Sequence, residues 1–141
     1  MSDPWEHLLR VSDAVATARV EMARSGGGTS FSAKEIDCTR GRFGSAWTAE
    51  LYDDDEHKEE GLSFACALLV HIAKGHCLTD GNKRLAWISF ALVLTQLGLE
   101  LEASEDEAAD FLLKILSESL EYTDVCRWAS ERLVPLTCPQ E

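Results

Sequence analysis

His76-Cys77-Leu78-Thr79-Asp80-Gly81-Asn82-Lys83-Arg84 separates two apolar runs, and its reading decides how the chain folds. Upstream, Leu62, Ala65, Cys66, Leu69, Val70 and Ala73 recur at i, i+3, i+4, i+7, i+8 and i+11, the period of a helix with one buried face. Phe64, Leu68 and Ile72 fill its opposite side. Downstream, Leu85 to Leu97 is apolar nearly all round, interrupted only by Ser89, Thr95 and Gln96, which predicts the central buried helix of the domain. Lys74-Gly75 reads as the end of the first helix and Gly98 as the C-cap of the second.

The second helix is expected to begin near Asp80 or Gly81. Its first N–H groups have no partner within the helix, and the helix dipole places partial positive charge there, so this end suits an anion. Gly81 lets a phosphate approach the backbone, and Lys83 and Arg84 add two cations in a chain of net charge −12. A carboxylate beside a phosphate site reads as a Mg2+ ligand, which assigns Asp80. His76 is the candidate general base, because imidazole titrates near neutrality. Spacing by itself fits equally well a capping Asp80, a solvated Lys83-Arg84 pair and a plain loop histidine.

The pattern H-x-x-x-D-G-N-K-R followed by an apolar helix resembles the signature of the Fic/Doc superfamily. Lys83, where Fic proteins usually carry a second glycine, makes it most similar to the Doc (death-on-curing) branch. The resemblance implies an all-α fold and a toxin of a toxin-antitoxin pair that transfers a phosphate from ATP, with Mg2+, to a protein hydroxyl, on elongation factor Tu in the Doc case. It also implies the roles: His76 as catalytic base, Asp80 as the acidic residue associated with Mg2+, and Gly81, Asn82, Lys83 and Arg84 as the phosphate-holding anion hole. Cys77 stands where the family often has proline, Leu78 where it usually has phenylalanine, and Trp87 where Fic adenylyltransferases have a further arginine. The first two leave a smaller apolar anchor for the loop and keep open a catalytically idle protein-binding module. The third weakens a Fic-type adenylyltransferase, the alternative activity. The family's self-inhibiting pattern (Ser or Thr, three residues, Glu, then Gly or Asn) is missing: Thr17 to Met22 has the Thr and Glu but ends on Met22. An antitoxin supplied in trans is therefore expected.

At 141 residues the chain is expected to form one domain, 1–141, around a single core. Its 25 acidic against 13 basic residues argue against a nucleic-acid-tracking surface. The start carries no basic region followed by an apolar core, so no secretory signal is expected, and no run reaches the length of a membrane span. Five cysteines, at 38, 66, 77, 126 and 138, form neither a disulfide framework nor a zinc pattern, so reduced thiols in the cytoplasm are expected.

The remaining elements follow from caps and stripes. Asp3, Pro4 and Glu6 predict a helix start, with Leu8, Val11, Val15, Ala18 and Met22 as its stripe and Gly26-Gly27-Gly28 as its end. Ser32 and Glu35 form a capping box for a short helix. From Arg42 to Tyr52 the pattern loosens into an irregular loop covering the core, where the resemblance implies a target-aligning flap. Asp53-Asp54-Asp55-Glu56 reads as a solvated helix entry and not a metal cluster. Leu99 to Glu102 alternates but is too short to found a sheet. Ser104 and Glu107 open a helix with Phe111, Leu112, Ile115 and Leu116, and Thr123 caps a last helix running until Pro135, followed by a frayed tail. The fold expected is a compact Fic/Doc-like bundle of about six helices around the central helix 85–97.

Overall fold

The computed structural model describes residues 2–26, 31–53 and 59–137. They form, in order, α1 (Val11–Arg24), α2 (Ala33–Tyr52), α3 (Leu62–Ala73), α4 (Asn82–Gln96), β1 (Leu99–Leu101), α5 (Glu105–Ser117), α6 (Tyr122–Ser130) and β2 (Leu133–Pro135). The six-helix bundle expected from the sequence is present, with a two-stranded sheet added.

Helices α3 and α4 make the centre and pack on each other more extensively than any other pair. Every residue of α3 is buried except His71, because its apolar side chains surround the axis and α2, α4 and α6 cover different sides of it. In α4, Leu85, Ala86, Ser89, Phe90, Val93 and Leu94 are buried, and α1 lies across it.

The stretch from Arg42 to Tyr52 is neither a loop nor a flap: it continues α2 as one helix of 20 residues. Thr39, Phe43 and Ala46 lie at i, i+4 and i+7 and are buried on that face. The Phe43 ring stands 6.1 Å from that of Phe64 and Trp47 stands 5.3 Å from it, both edge-on. This aromatic packing outweighs the cost of about 1 kcal/mol that each of Gly41 and Gly44 imposes within a helix.

The first helix begins later than its sequence cap suggests. Residues 4–8 form a turn, and Arg10 is the N-cap of α1, without a side-chain cap. Asp3 is engaged elsewhere, accepting from Arg40 Nη1 at 2.7 Å, while Trp5 and Leu9 are buried in the core.

Leu99 to Leu101 does find a partner, pairing antiparallel with Leu133 to Pro135 in the register Leu99↔Pro135, Glu100↔Val134 and Leu101↔Leu133. The last helix accordingly stops at Ser130, its N-cap being Glu121 instead of Thr123. Leu136, expected to fray, donates its N–H to Gly98 O at 2.9 Å. Residues 54–56 of the acidic run and Gly27-Gly28 lie outside the described residues; Asp53 accepts from Ser63 Oγ at 2.8 Å.

Phe64 is fully buried between Phe43 and Trp47. Phe64→Ala is expected to lower the unfolding free energy by about 3–5 kcal/mol, the usual cost of an aromatic-to-alanine cavity, measured by urea denaturation.

Candidate active site

The loop from Gly75 to Gly81 joins the C-terminus of α3 to the N-terminus of α4, and α2 holds it along its length. Arg42 Nη2 donates to Gly75 O at 3.2 Å, Cys38 is disulfide-bonded to Cys77, and Glu35 Oε2 accepts from Thr79 N at 3.2 Å. The three α2 residues are spaced i, i+3 and i+7 and so share one face, and their partners run in the opposite direction along the loop.

Gly75 is required by this closeness: a Cβ there would stand 2.8 Å from Arg42 Nε and 2.7 Å from His71 O. His71 is half-buried behind the loop; burial chiefly, with Arg42 and Lys74 nearby, lowers its pKa below the ordinary histidine value.

The disulfide corrects the expectation of reduced thiols for Cys38 and Cys77. Their Cα atoms are 5.4 Å apart, an ordinary bridging distance. A separation of 39 residues hides this proximity from a reading of spacing. Cys66 and Cys126 are buried thiols, and Cys138 lies outside the described residues.

Within the loop Leu78 is buried at 5% exposure and serves as the apolar anchor in spite of its size. Asn82 locks it on both sides: Leu78 N donates to Asn82 Oδ1 at 2.9 Å, and Asn82 Nδ2 donates to Leu78 O at 2.8 Å. The Asn82 side chain is thus a loop staple here, so only its backbone N–H remains available at the helix start. His76, exposed, adopts φ +52°, a left-handed conformation uncommon outside glycine but one that histidine takes more readily than most residues.

Helix α4 opens at Gly81, whose φ of +96° only glycine adopts without strain, and no side chain caps it. The first-turn N–H groups of Asn82, Lys83 and Arg84 are therefore available to an anion. Lys83 and Arg84 are exposed beside them, and Arg84 Nη1 donates to Ser25 Oγ at 2.9 Å. Asp80 is exposed at the same end.

His76, Asp80, Gly81, Asn82, Lys83 and Arg84 all line one cleft of about 1100 Å3, which also takes in Met22 and Ser25 from the end of α1. The structure therefore brings every sequence-predicted site residue together. Beyond this polar end the cleft runs between α4 and α5, where Trp87, Phe90, Leu94, Leu112 and Leu116 make it apolar. The Trp87 ring packs 5.5 Å from Phe90 and 6.5 Å from Trp128. Among the described residues there is no group of three or more His, Cys, Asp or Glu side chains that could hold a metal ion. The donor set fits Mg2+ only in its usual nucleotide-bound form, one carboxylate with the remaining ligands from phosphate and water. No helix of the described residues is long and apolar enough to cross a membrane.

An exposed histidine beside an open helix N-terminus, at one end of a cleft of this size, is an arrangement that group-transfer chemistry can use. A family model described as Fic/DOC family matches residues 14–94, more than half of the chain, from α1 to within the last turns of α4. The chain belongs to the Fic/DOC family. No curated protein and no solved structure matches it significantly.

Two outcomes follow from the loop and the helix start. A Cβ on Gly81 would lie 2.8 Å from Met22 Cε, so Gly81→Ala is expected to destabilise by about 1–3 kcal/mol in thermal unfolding, with Met22→Ala in addition recovering only the steric part. The Glu35 carboxyl lies below its ordinary pKa, because the Ser32 N–H and then the Thr79 N–H donate to it. Its hold on the loop is therefore complete above the ordinary carboxylate range of about 4.3 and is lost as pH falls through its lower folded value. Hydrogen-exchange protection of the Thr79 amide is expected to collapse in that acid window in the wild type and to be weak at every pH in Glu35→Ala.

Proposed function

We propose that this chain is a Doc-like toxin that moves the γ-phosphate of ATP onto a hydroxyl of a protein in the cytoplasm and so blocks translation. Elongation factor Tu is the target to which the Doc resemblance points. The observation that carries this reading is the helix start itself: Lys83 and the packed ring of Trp87 stand where a Fic-type adenylyltransferase has a second glycine and a second arginine. A side chain occupies space and a cation is missing, which supports a nucleotide seated with its γ-phosphorus, not its α-phosphorus, nearest His76.

In this reading the uncapped N–H groups of residues 82–84 and the Lys83 and Arg84 side chains receive the phosphate oxygens, and Asp80 holds Mg2+. When bound, Mg2+ offsets the charge of the nucleotide phosphates. His76 accepts the proton of the attacking hydroxyl as its oxygen bonds to phosphorus. The bond from the γ-phosphorus to the bridging oxygen breaks, and ADP leaves. Positioning and electrostatics supply most of the acceleration in such a transfer, which matches a site built of backbone amides and two cations. The apolar arm of the cleft receives the base. The missing self-inhibiting pattern supports an antitoxin that acts in trans.

The test incubates the protein and candidate target with Mg2+ and ATP labelled at the α or the γ phosphorus. Label retained from γ-labelled ATP only is expected. Retention from α-labelled ATP would replace phosphorylation by adenylylation, and no retention from either, with a validated target, would leave a protein-binding module. His76→Ala is expected to cut transfer by at least about 100-fold with circular dichroism unchanged, as loss of a general base does.

A further inference from the structure

We propose that the Cys38–Cys77 disulfide is a positioning device for His76 and that its redox state sets the rate of the transfer reaction; this rests on the functional reading above. Three observations converge. Cys77 is the residue directly after His76, so the bond acts one peptide from the proposed base. His76 itself holds φ +52°, a left-handed conformation that few non-glycine residues adopt, histidine more readily than most. Its surroundings are the α2 clamp, of which the disulfide is the middle and the only covalent member, between Arg42 at Gly75 O and Glu35 at Thr79 N.

The clamp is built to lose its centre without falling apart. The Leu78 staple on Asn82 and the two outer hydrogen bonds do not involve sulfur, so reduction leaves the loop attached at Gly75, Leu78 and Thr79. What it releases is the segment between them, which is His76 and Cys77. Both half-cystines are half-buried and not enclosed, so a small thiol reaches the bond.

The chemistry is thiol–disulfide exchange with a dithiol. A thiolate of the dithiol attacks one cystine sulfur, and a mixed disulfide forms as the other sulfur leaves as thiolate. The second thiol of the reductant then displaces the protein sulfur. The reductant ends as its own disulfide, and Cys38 and Cys77 end as two thiols, two electrons and two protons having passed to the protein. The reverse exchange with a disulfide oxidant restores the bond. In the oxidised protein His76 is held for proton acceptance; in the reduced one it samples conformations that are not.

The experiment compares wild type, Cys38→Ser and Cys77→Ser, each oxidised or treated with dithiothreitol, with circular dichroism confirming the fold at the assay temperature. Backbone NMR order parameters of His76 and Cys77 are expected to fall on reduction of the wild type and to be low in both variants whatever the redox state, while those of Gly75, Leu78 and Thr79 change little. In the label-transfer assay kcat is expected to fall at least about tenfold on reduction while KM for ATP changes less, and to return on reoxidation with oxidised glutathione. The variants should be slow and indifferent to dithiothreitol. If the bond were merely structural, reduction would lower the thermal midpoint and leave kcat unchanged, and that result, or a reduced protein as fast as or faster than the oxidised one, would overturn the proposal. Unchanged order at His76 and Cys77 would overturn it without reference to activity. Failure of the functional reading is separately visible, as normal transfer by oxidised His76→Ala.

Discussion

A helix surrounded by apolar neighbours cannot turn to water for the backbone groups at its ends, and this constraint on α3 organises the rest of the molecule. Its N-cap, Gly61, is itself buried and has no side chain to offer. Glu50, on α2, meets the need from outside: Oε2 accepts from Gly61 N at 3.1 Å and Oε1 from Phe64 N at 3.0 Å. Just past the other end Arg42 donates to Gly75 O, one residue beyond the C-cap Lys74. Leaving a buried donor or acceptor unmet costs about 1–3 kcal/mol, so these long-range bonds weigh as much as several apolar contacts. Because α2 serves both ends of α3, it must lie antiparallel along it. The loop carrying His76 is therefore laid down beside α2 as a consequence of how α3 is buried.

The polar end of the cleft was readable from the sequence because it depends on local rules. A helix start is marked by the glycine that only it tolerates and by the cations beside it, and Gly81, Lys83 and Arg84 sit within one turn. The boundaries of α3 and α4 were legible for the same reason, each being a long apolar run ended by a glycine. What escaped was long-range. Glu50 reads as one more acid on a surface until the fold sets it against Gly61. Cys38 and Cys77 are separated by the whole of α3, and Leu99 to Leu101 by two helices from its partner strand. The continuity of α2 was a different kind of miss, since Thr39, Phe43 and Ala46 do keep helical spacing. Gly41 and Gly44 interrupt that spacing without ending the helix: a Cβ on Gly41 would meet nothing within 4 Å, and one on Gly44 would make an ordinary contact with the Trp5 ring at 3.8 Å.

Charge gives the cleft its direction. In a chain this acidic, the exposed pair Lys83 and Arg84 next to a helix N-terminus is a local reversal of sign, and a field of that shape draws an anion to one end of the cavity instead of coating the surface. The opposite end owes its character to α5, which meets the bundle mainly through Phe111 and Ile115 and leaves a gap towards α4. Phe111 stacks on Trp128 with ring centroids 4.0 Å apart, and Arg132 lies over the same tryptophan at 4.5 Å. The apolar arm thus lies where α5, packed on α3 and stacked on Trp128 of α6 through Phe111, leaves a gap towards α4.

The bond between Cys38 and Cys77 also changes the topology of the chain. Everything from the second turn of α2 to the start of the site loop becomes a covalently closed ring, threaded into the polymer at two points 39 residues apart. Closing a ring of that size removes about 4 kcal/mol of chain entropy from the unfolded state on the simplest polymer account. A single break in the backbone anywhere inside the ring would leave one molecule, with the aromatic face of α2 and the buried helix it covers still tethered to each other at short range.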